Sequence, residues 1–511
     1  MEDAERQQLL DVIAAQAAEI AQLKQTIDAL VRRIFGAKSE ALDPAQLELL
    51  LGPDASKKAP AAAPADPGPA AEIPTHHKPA RKQPRAPRIP DNLPVTEERI
   101  LEPAEVLANP AAWRRIGQET REQLHYQRGR FSRIRTVRPK YVRIGDPLTK
   151  PVIAPLPPTL QDRCIATPAL IAEVLDNRFT CHLPYYRQAE MFARLGVTLH
   201  RKTLCDWTLL ASDWLAIIYR EIQYEHWRAR YRQLDETPIN YLEPGNGKAR
   251  TGYLWVSNIP GGSVLYHWRK GRDQGGITEL LGDDSQPAGD TARVIQCDGF
   301  SAYPAWAKGK DHVTLMGCHA HVRRKFFEAR DQSPRLVGWI LRQLAHLYQI
   351  ESRLRETRAS PALREAMRAA QSRPIHQRLK KLFDKLVLRR AILPKSNLGK
   401  AITYTLNQWP HLQTYLTDGR VEIDNNLVEN AIRPTKLGAK NWLFIGAEHA
   451  GEKSAIIYTL VENCRRLGIN PRDYLEDVLT RLPAMKASEA ASLTPANWLK
   501  ARSCKPQRQA A

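Results

Sequence analysis

The run Tyr231-Arg-Gln-Leu-Asp-Glu-Thr-Pro-Ile-Asn-Tyr-Leu242 has the composition of a β-strand with an acid, Asp235, set inside it. Two more strand-like runs follow, Thr251-Gly-Tyr-Leu-Trp-Val-Ser-Asn-Ile259 and Gly262-Ser-Val-Leu-Tyr-His-Trp268. A short helical segment separates them from Ala292-Arg-Val-Ile-Gln-Cys-Asp-Gly299, an apolar strand that ends at a second acid, Asp298. Strands in succession, then helix, then strand, predict a mixed α/β core. Past Cys318-His-Ala-His-Val-Arg-Arg-Lys-Phe-Phe327 the chain turns helical to about Thr417. Ile423-Asp-Asn-Asn-Leu-Val-Glu-Asn-Ala-Ile-Arg-Pro434 then starts like a helix around a third acid, Glu429. The core is expected over 229–450, interrupted by a helical insertion at about 328–418.

This order of elements suggests a core of the ribonuclease-H type. Asp235, Asp298 and Glu429 are spaced 63 and then 131 residues apart. If the fold gathers them, they form a carboxylate cluster able to hold two Mg²⁺ ions, the arrangement used in phosphodiester chemistry. Each acid also has a plainer reading. Asp235 suits a turn or cap, Asp298-Gly299 an ordinary strand-ending turn, and Glu429 an i, i+4 partner for Arg433 on a helix face. Asp424 is the alternative third carboxylate, although it fits better as an N-cap, with Asn425 and Asn426 in the turn.

A length of 511 residues is too great for one hydrophobic core and implies several units. The net charge of +21, from 76 Lys and Arg against 55 Asp and Glu, attracts polyanions, above all nucleic acid. The first 50 residues carry nine acids and five bases, so the cationic surface lies downstream. Seven cysteines are scattered singly with no CxxC pair, which indicates neither a disulfide framework nor a cysteine-based zinc site. No leader-like N-terminus and no run of about 18 apolar residues occurs, so a cytoplasmic, nucleoid-associated protein without a membrane span is expected.

In residues 1–50, Ile13, Ile20, Ile27 and Ile34 alternate with Leu9, Gln16, Leu23 and Leu30 in an a/d heptad. Ile at a and Leu at d favour a parallel two-stranded coiled coil, so residues 9–34 predict a homodimer or higher assembly. Residues 51–95 are a Pro/Ala-rich basic linker. Residues 96–150 form a small β-rich domain whose Arg128, Arg130, Arg133, Arg135, Arg138 and Lys140 suit phosphate contacts. Residues 160–228 read as helices, with a Gly turn before a helix that Thr198 could cap and that turns Arg201 and Lys202 outward to DNA. Arg323, Arg324 and Lys325 sit beside His321 where a helix opens, and Arg433 lies one turn after Glu429; all four bases are candidates for DNA contact. Trp442 is expected in the core. A C-terminal helical domain at 451–495 and a basic tail at 496–511 complete the chain.

Seven short motifs in order resemble the transposases of the IS66 family of insertion sequences. They are Leu30-Val-Arg-Arg-Ile-Phe-Gly-Ala-Lys-Ser-Glu40, Leu183-Pro-Tyr-Tyr-Arg-Gln188, Asp235-Glu-Thr-Pro238, Asp298-Gly-Phe-Ser-Ala-Tyr303, His319-Ala-His-Val-Arg-Arg-Lys-Phe326, Asp424-Asn-Asn-Leu-Val-Glu-Asn-Ala-Ile-Arg-Pro434 and Lys440-Asn-Trp-Leu-Phe444. The resemblance implies a DDE transposase with leucine zipper, small zinc-finger-like domain, interrupted ribonuclease-H core and C-terminal helices, with Asp235, Asp298 and Glu429 on its metal-holding triad. It implies Mg²⁺, with Mn²⁺ able to substitute, and double-stranded DNA as partner, both the element's terminal repeats and target. Small companion proteins of the same element are also implied. The chain departs from the family in lacking any cysteine between residues 100 and 150, so no zinc is expected there, and in having His319 where Trp is common. The rival reading is a catalytically inactive DNA-binding protein derived from a transposase.

Overall fold

The computed structural model describes residues 89, 93–127, 129–144, 150–243, 248–282, 293–390 and 392–503, all within one compact unit that begins at Arg85. The predicted coiled coil at 9–34, nearly all of the linker, and Arg128 lie outside the described residues.

The first elements are β1 (Val95–Ile100), β2 (Trp113–Gln127), β3 (Arg130–Arg143) and β4 (Val152–Ile153). β2 and β3 form a long antiparallel hairpin, β1 lies parallel on the outer side of β3, and β4 pairs antiparallel with the end of β3. The hairpin turns at Gly129, whose φ of +86° is a left-handed value that glycine adopts without strain. No cysteine is needed to close this sheet, because Leu124, Tyr126 and Phe131 are buried and join the main core.

Three helices follow: α1 (Pro168–Phe179), α2 (Tyr185–Arg194) and α3 (Arg201–Arg228). Thr167 caps α1 through Leu170 N–H. The glycine turn expected between the next two is present at Gly196, φ +86°. Thr198 is not the cap; the helix starts after His200, which offers no side-chain cap. α3 is 28 residues long because Leu204, Trp207, Ala211, Leu215, Ile218 and Ile222 keep one continuous buried stripe. That stripe packs into the same core as the central sheet, and Tyr219 donates to the Tyr266 carbonyl at 2.9 Å. These helices therefore buttress the sheet.

The central sheet comprises β5 (Tyr231–Tyr241), β6 (Arg250–Asn258), β7 (Val264–Arg269), β8 (Arg293–Gln296) and β9 (Val313–Met316), in spatial order β7-β6-β5-β8-β9. The first three are antiparallel, while β5, β8 and β9 run parallel. The crossovers are helical: α4 (Gln274–Leu281) precedes β8, and α5 (Ala302–Ala307) lies between β8 and β9. This is the mixed α/β core that the alternating sequence predicted.

Strand alternation divides the two faces of the sheet. Ile295 and Leu315 belong to the main core with α1, α3 and the C-terminal helices, whereas Val294 and Met316 belong to a second core. The second core is built by α6 (His319–Glu328), α7 (Pro334–Glu356), α8 (Arg373–Leu388) and α9 (Asn397–Asn407). The helical stretch after β9 thus clamps one face of the parallel strands. Its centre is an ion pair sealed from water. Glu351 accepts from Arg368 Nε and Nη2 at 2.7 Å each and from Arg364 at 3.1 Å, and Arg368 also donates to the carbonyls of Tyr415, Asp418 and Val421. Burial alone would raise the Glu351 carboxyl, but the two arginines outweigh it and hold it below its ordinary value.

Beyond the insertion come α10 (Asn426–Trp442), α11 (His449–Arg466), α12 (Pro471–Arg481) and α13 (Pro495–Ser503). α11 packs on β7, with Asn463 bonded to both the N–H and the carbonyl of Val264. Residues 495–503 are not a free tail: Trp498 is buried and donates to Asp477 at 2.7 Å, which docks the last helix. No helix among the described residues is long and apolar enough to cross a membrane.

Candidate active site

The register of the sheet explains how two of the acids meet. In the parallel pair β5 and β8, Gln233 lies opposite Gln296. Two residues further along each chain, on the same face, come Asp235 and Asp298. Adjacent strands are about 4.8 Å apart, so the two carboxyls project from neighbouring positions at the ends of the pairing. Asp298 leaves the strand in a tight turn in which its Oδ1 accepts from Phe300 N–H at 2.9 Å, and Oδ1 of Asp235 accepts from Glu236 N–H at 3.0 Å.

Glu429 arrives on α10. Val428, Ala431, Ile432, Thr435, Gly438 and Trp442 form its buried stripe, and Tyr266 on β7 donates to the Ala431 carbonyl at 2.6 Å. Glu429 stands at the edge of that stripe, in the first helical turn, facing α6: its Oε1 is 3.7 Å from His321 Nε2 and its Oε2 is 3.4 Å from Arg324. Arg433 is exposed and is not the partner of this carboxylate. Burial pushes the Asp235 carboxyl well above the usual carboxylate range, and the nearby charges of Glu236, Asp298 and Glu429 push the same way. Asp424 does not take part in that interaction; it precedes the N-cap Asn425, and its carboxyl accepts from the backbone and side chain of Asn426 at 3.1 and 2.8 Å. It therefore braces the helix start without being the capping residue.

A buried amide network holds the third acid's loop against the sheet. Gln233 donates to Gln296 at 2.9 Å and to the Asp424 carbonyl at 2.8 Å, and accepts from Asn258 at 2.8 Å. Gln296 accepts from Tyr231 at 2.6 Å and donates to the Glu422 carbonyl at 3.1 Å. Glu422 N–H in turn donates to Tyr231 Oη at 3.0 Å. His319, buried and kept neutral by a burial-driven fall to about 4, donates from Nδ1 to the Ile423 carbonyl at 3.0 Å and packs its ring on His376 and Tyr415. A histidine thus satisfies this site where an indole was the common choice. Gln296→Leu should strand the Tyr231 hydroxyl and the Gln233 amide in a dry environment, costing about 1–3 kcal/mol. The expected readout is a lower thermal midpoint together with slower DNA cleavage at unchanged DNA affinity; a variant that cleaves normally would dissociate the network from the site.

Four further residues surround the acids: Glu236 and Tyr303, which stand inside the quoted motifs without a role of their own, and Arg272 and Tyr404, which carried no signal in the sequence. Glu236 is buried beside Asp235, accepting from Tyr303 Oη at 2.7 Å and Arg272 Nε at 2.6 Å. Arg272 comes from the turn after β7, stacks 3.8 Å over the Phe300 ring and reaches within 3.9 Å of Asp298. Tyr404, from the insertion, lies so close to Gly299 that a Cβ there would meet its ring at 2.6 Å, which explains the Asp298-Gly299 pair. Only tertiary contact could have revealed Arg272 and Tyr404, since a lone Arg or Tyr has no diagnostic spacing.

The bases expected to meet DNA divide into two groups. Arg133 and Arg135 pair with Glu122 at 3.6 and 3.0 Å, and Arg138 and Lys140 both pair with Glu119 at 2.7 Å, so the cross-strand acids of β2 neutralise much of this cationic strand. Arg130 is exposed. Arg201 and Lys202 are exposed as expected, with Lys202 3.0 Å from Asp206. Arg323 and Arg433 face solvent, Arg324 touches Glu429, and Lys325 lies over the Tyr404 ring at 4.5 Å. Trp442 is buried in the core with Arg178 over its ring.

The donor set suits hard divalent cations. Glu429 Oε1 is buried with no hydrogen-bond partner, Arg272 reaches within 3.9 Å of Asp298, and Arg324 lies 3.4 Å from Glu429. Asp235, Asp298 and Glu429 are the residues that would hold such ions.

Three family models match the chain: the Transposase IS66 family over residues 163–453, the Transposase C of IS166 homeodomain over 22–97, and the IS66 C-terminal element over 459–496. An uncharacterized protein of Sinorhizobium fredii, y4jD, is 32% identical over 520 residues covering 96% of each chain. A second, y4qI, from the same organism is 32% identical over 439 residues, covering 82% of this chain and 79% of its own. With the principal family model spanning more than half of the sequence and a relative of this identity along nearly its whole length, the chain belongs to the IS66 transposase family.

Proposed function

We propose that the chain is a DDE transposase that cuts DNA at the ends of its insertion element and joins the freed 3′-ends to target DNA. The observation that carries this reading is the register of β5 and β8, in which Gln233 lies opposite Gln296 two residues before Asp235 and Asp298, together with the charges of Asp298 and Glu429 that both act on Asp235. The strand order β7-β6-β5-β8-β9, three antiparallel strands followed by two parallel ones, supports a ribonuclease-H-like core. The charges of Asp298 and Glu429 both bear on Asp235, which favours this reading over the inactive DNA-binding alternative, in which the three acids need not lie near one another.

Asp235, Asp298 and Glu429 would hold divalent cations, Mg²⁺ or Mn²⁺, which when bound would supply charge stabilisation and activation of the attacking oxygen. Arg324 stands next to Glu429 and orients that carboxylate, while Arg272 and Tyr303 fix Glu236 behind Asp235. The insertion closes one side of the site through Tyr404 and limits water there. Arg323 and Arg433, exposed on α6 and α10, are placed to hold the phosphate backbone in register, so catalysis rests on positioning and charge with no covalent enzyme intermediate. Dimerisation through residues 9–34, use of companion proteins and nucleoid association belong to the same proposal.

The test is a nicking and joining assay on DNA that carries the element's ends. Metal-dependent nicks together with joined products support transposition, nicks alone indicate a nuclease, and neither indicates a DNA-binding relic. Arg323→Ala and Arg433→Ala should each weaken DNA binding and lower the salt slope by about 1. Arg138→Ala and Lys140→Ala should have smaller effects, because Glu119 already neutralises both. Equal losses at all four positions would place the hairpin on the DNA as firmly as the site rim.

A further inference from the structure

A second ligand set shares Glu429. Cys318 follows β9 and forms the N-cap of α6, His321 stands in the first turn of the same helix, and Glu429 stands in the first turn of α10. Cys318 Sγ, a ring nitrogen of His321 and a carboxylate oxygen of Glu429 all lie within 4.8 Å of one another. The two helix starts are held together, since Asn425 N–H, at the cap of α10, points to Cys318 Sγ at 3.5 Å.

We propose that Cys318, His321 and Glu429 form a site for a thiophilic transition-metal ion of the Zn²⁺ class, and that an ion seated there withdraws Glu429 from the carboxylate cluster. The inference rests in part on the assignment of Glu429 to that cluster. Thiolate, imidazole and carboxylate with an open fourth position form a zinc-type set. A hard ion such as Mg²⁺ has little use for sulfur or imidazole, so these two residues discriminate between the sites. Two atoms of the set lack hydrogen-bond partners despite burial, Glu429 Oε1 and His321 Nδ1, and a cation resolves the first of them. Arg324 bonds to Oε2 and leaves Oε1 to the ion. Binding of the ion would release the Cys318 thiol proton to solvent as the sulfur–metal bond forms.

A single carboxylate then serves two masters. With Mg²⁺ alone, Glu429 faces Asp235 and Asp298; with Zn²⁺ present, it is committed to Cys318 and His321 and the hard-ion site loses a ligand. The enzyme would be inhibited by Zn²⁺ at concentrations far below those at which Mg²⁺ supports it.

The experiment uses the full chain and Co²⁺ as a spectroscopic probe, without DNA. Co²⁺ should produce a sulfur-to-cobalt charge-transfer absorption that saturates at one ion per chain and is displaced by Zn²⁺. Cys318→Ser, with Cys318→Ala as a second variant should the serine fold poorly, should lose the band and weaken Co²⁺ binding by about 10- to 100-fold or more. Cys297→Ser and Asp235→Asn should keep the band. Absence of a band in the wild type, or its survival in both Cys318 variants, overturns the proposal. In a separate arm, cleavage in Mg²⁺ is followed as Zn²⁺ is added, each protein normalised to its own zinc-free rate, and the Cys318 variants should tolerate about tenfold more Zn²⁺. Equal sensitivity would overturn the link to Glu429. A wild type that binds Co²⁺ through Cys318 but cuts no DNA would remove the proposed function and leave the metal site standing.

Discussion

Asp235→Asn and Asp298→Asn should each lower Mg²⁺-dependent cleavage of end-containing DNA by at least about 10³-fold, a rise in barrier of about 4 kcal/mol. DNA affinity should change little, because neither carboxyl attracts the phosphate backbone. The Asn variant at 235 has a second expected signature. Burial and three neighbouring acids raise the Asp235 carboxyl well above its unfolded value near 4, so the native state binds this proton more tightly than the unfolded chain does. That contribution to stability is fully present below about pH 4 and is lost as pH rises through the raised value. Asparagine does not titrate. In metal-free buffer at pH 7 the variant should therefore melt above the wild type, with the advantage shrinking as the pH falls toward 4. Adding Mg²⁺ should raise the wild-type midpoint, and chelation should reverse the rise, while Asp235→Asn responds weakly. A variant that cleaves at the wild-type rate, or that melts lower at pH 7 without metal, would remove Asp235 from the cluster.

Glu351→Ala should produce the largest loss of stability in the chain. The carboxylate is inaccessible to solvent and neutralises Arg368, which is equally buried, and Arg364. Its removal leaves a guanidinium without a counter-charge in a low-dielectric core, and such breaks cost about 3–5 kcal/mol. Replacing Glu351 and Arg368 together with apolar residues should cost much less, because no charge is then stranded. The functional consequence follows from where Arg368 points: the carbonyls of Tyr415, Asp418 and Val421 lie on the segment that runs directly into Glu422, Asp424 and the helix of Glu429. A lowered thermal midpoint and slower cleavage should therefore appear together in Glu351→Ala. An unchanged midpoint would show that the pair contributes nothing that its surroundings do not already supply.

Much of the site was legible before any coordinates. Asp235 and Asp298 each sit at a recognisable point of a strand, and Glu429 follows a helix-start pattern, so all three could be singled out from local chemistry. The bases at 201, 202, 323 and 433 were expected outside and are exposed. Local pattern misled where long-range packing competed with it. Thr198 had the chemistry of a cap, but the helix begins at Arg201. Arg433 had the right spacing to pair with Glu429, but Arg324 from another helix is the partner. The basic strand 130–143 looked open to phosphate until Glu119 and Glu122 appeared opposite it on β2.

By itself the chain determined the types of its central elements and singled out three acids as candidates, because alternation, helical periodicity and turn residues act over a few positions and need no partner. The tertiary structure alone decided what surrounds each of them. Gln233 opposite Gln296 is a pairing across 63 residues, and the loop that Gln233 and Gln296 hold lies more than 120 residues beyond. Registers and contacts at that separation depend on how the sheet closes and on what the insertion packs against, and no local periodicity encodes them.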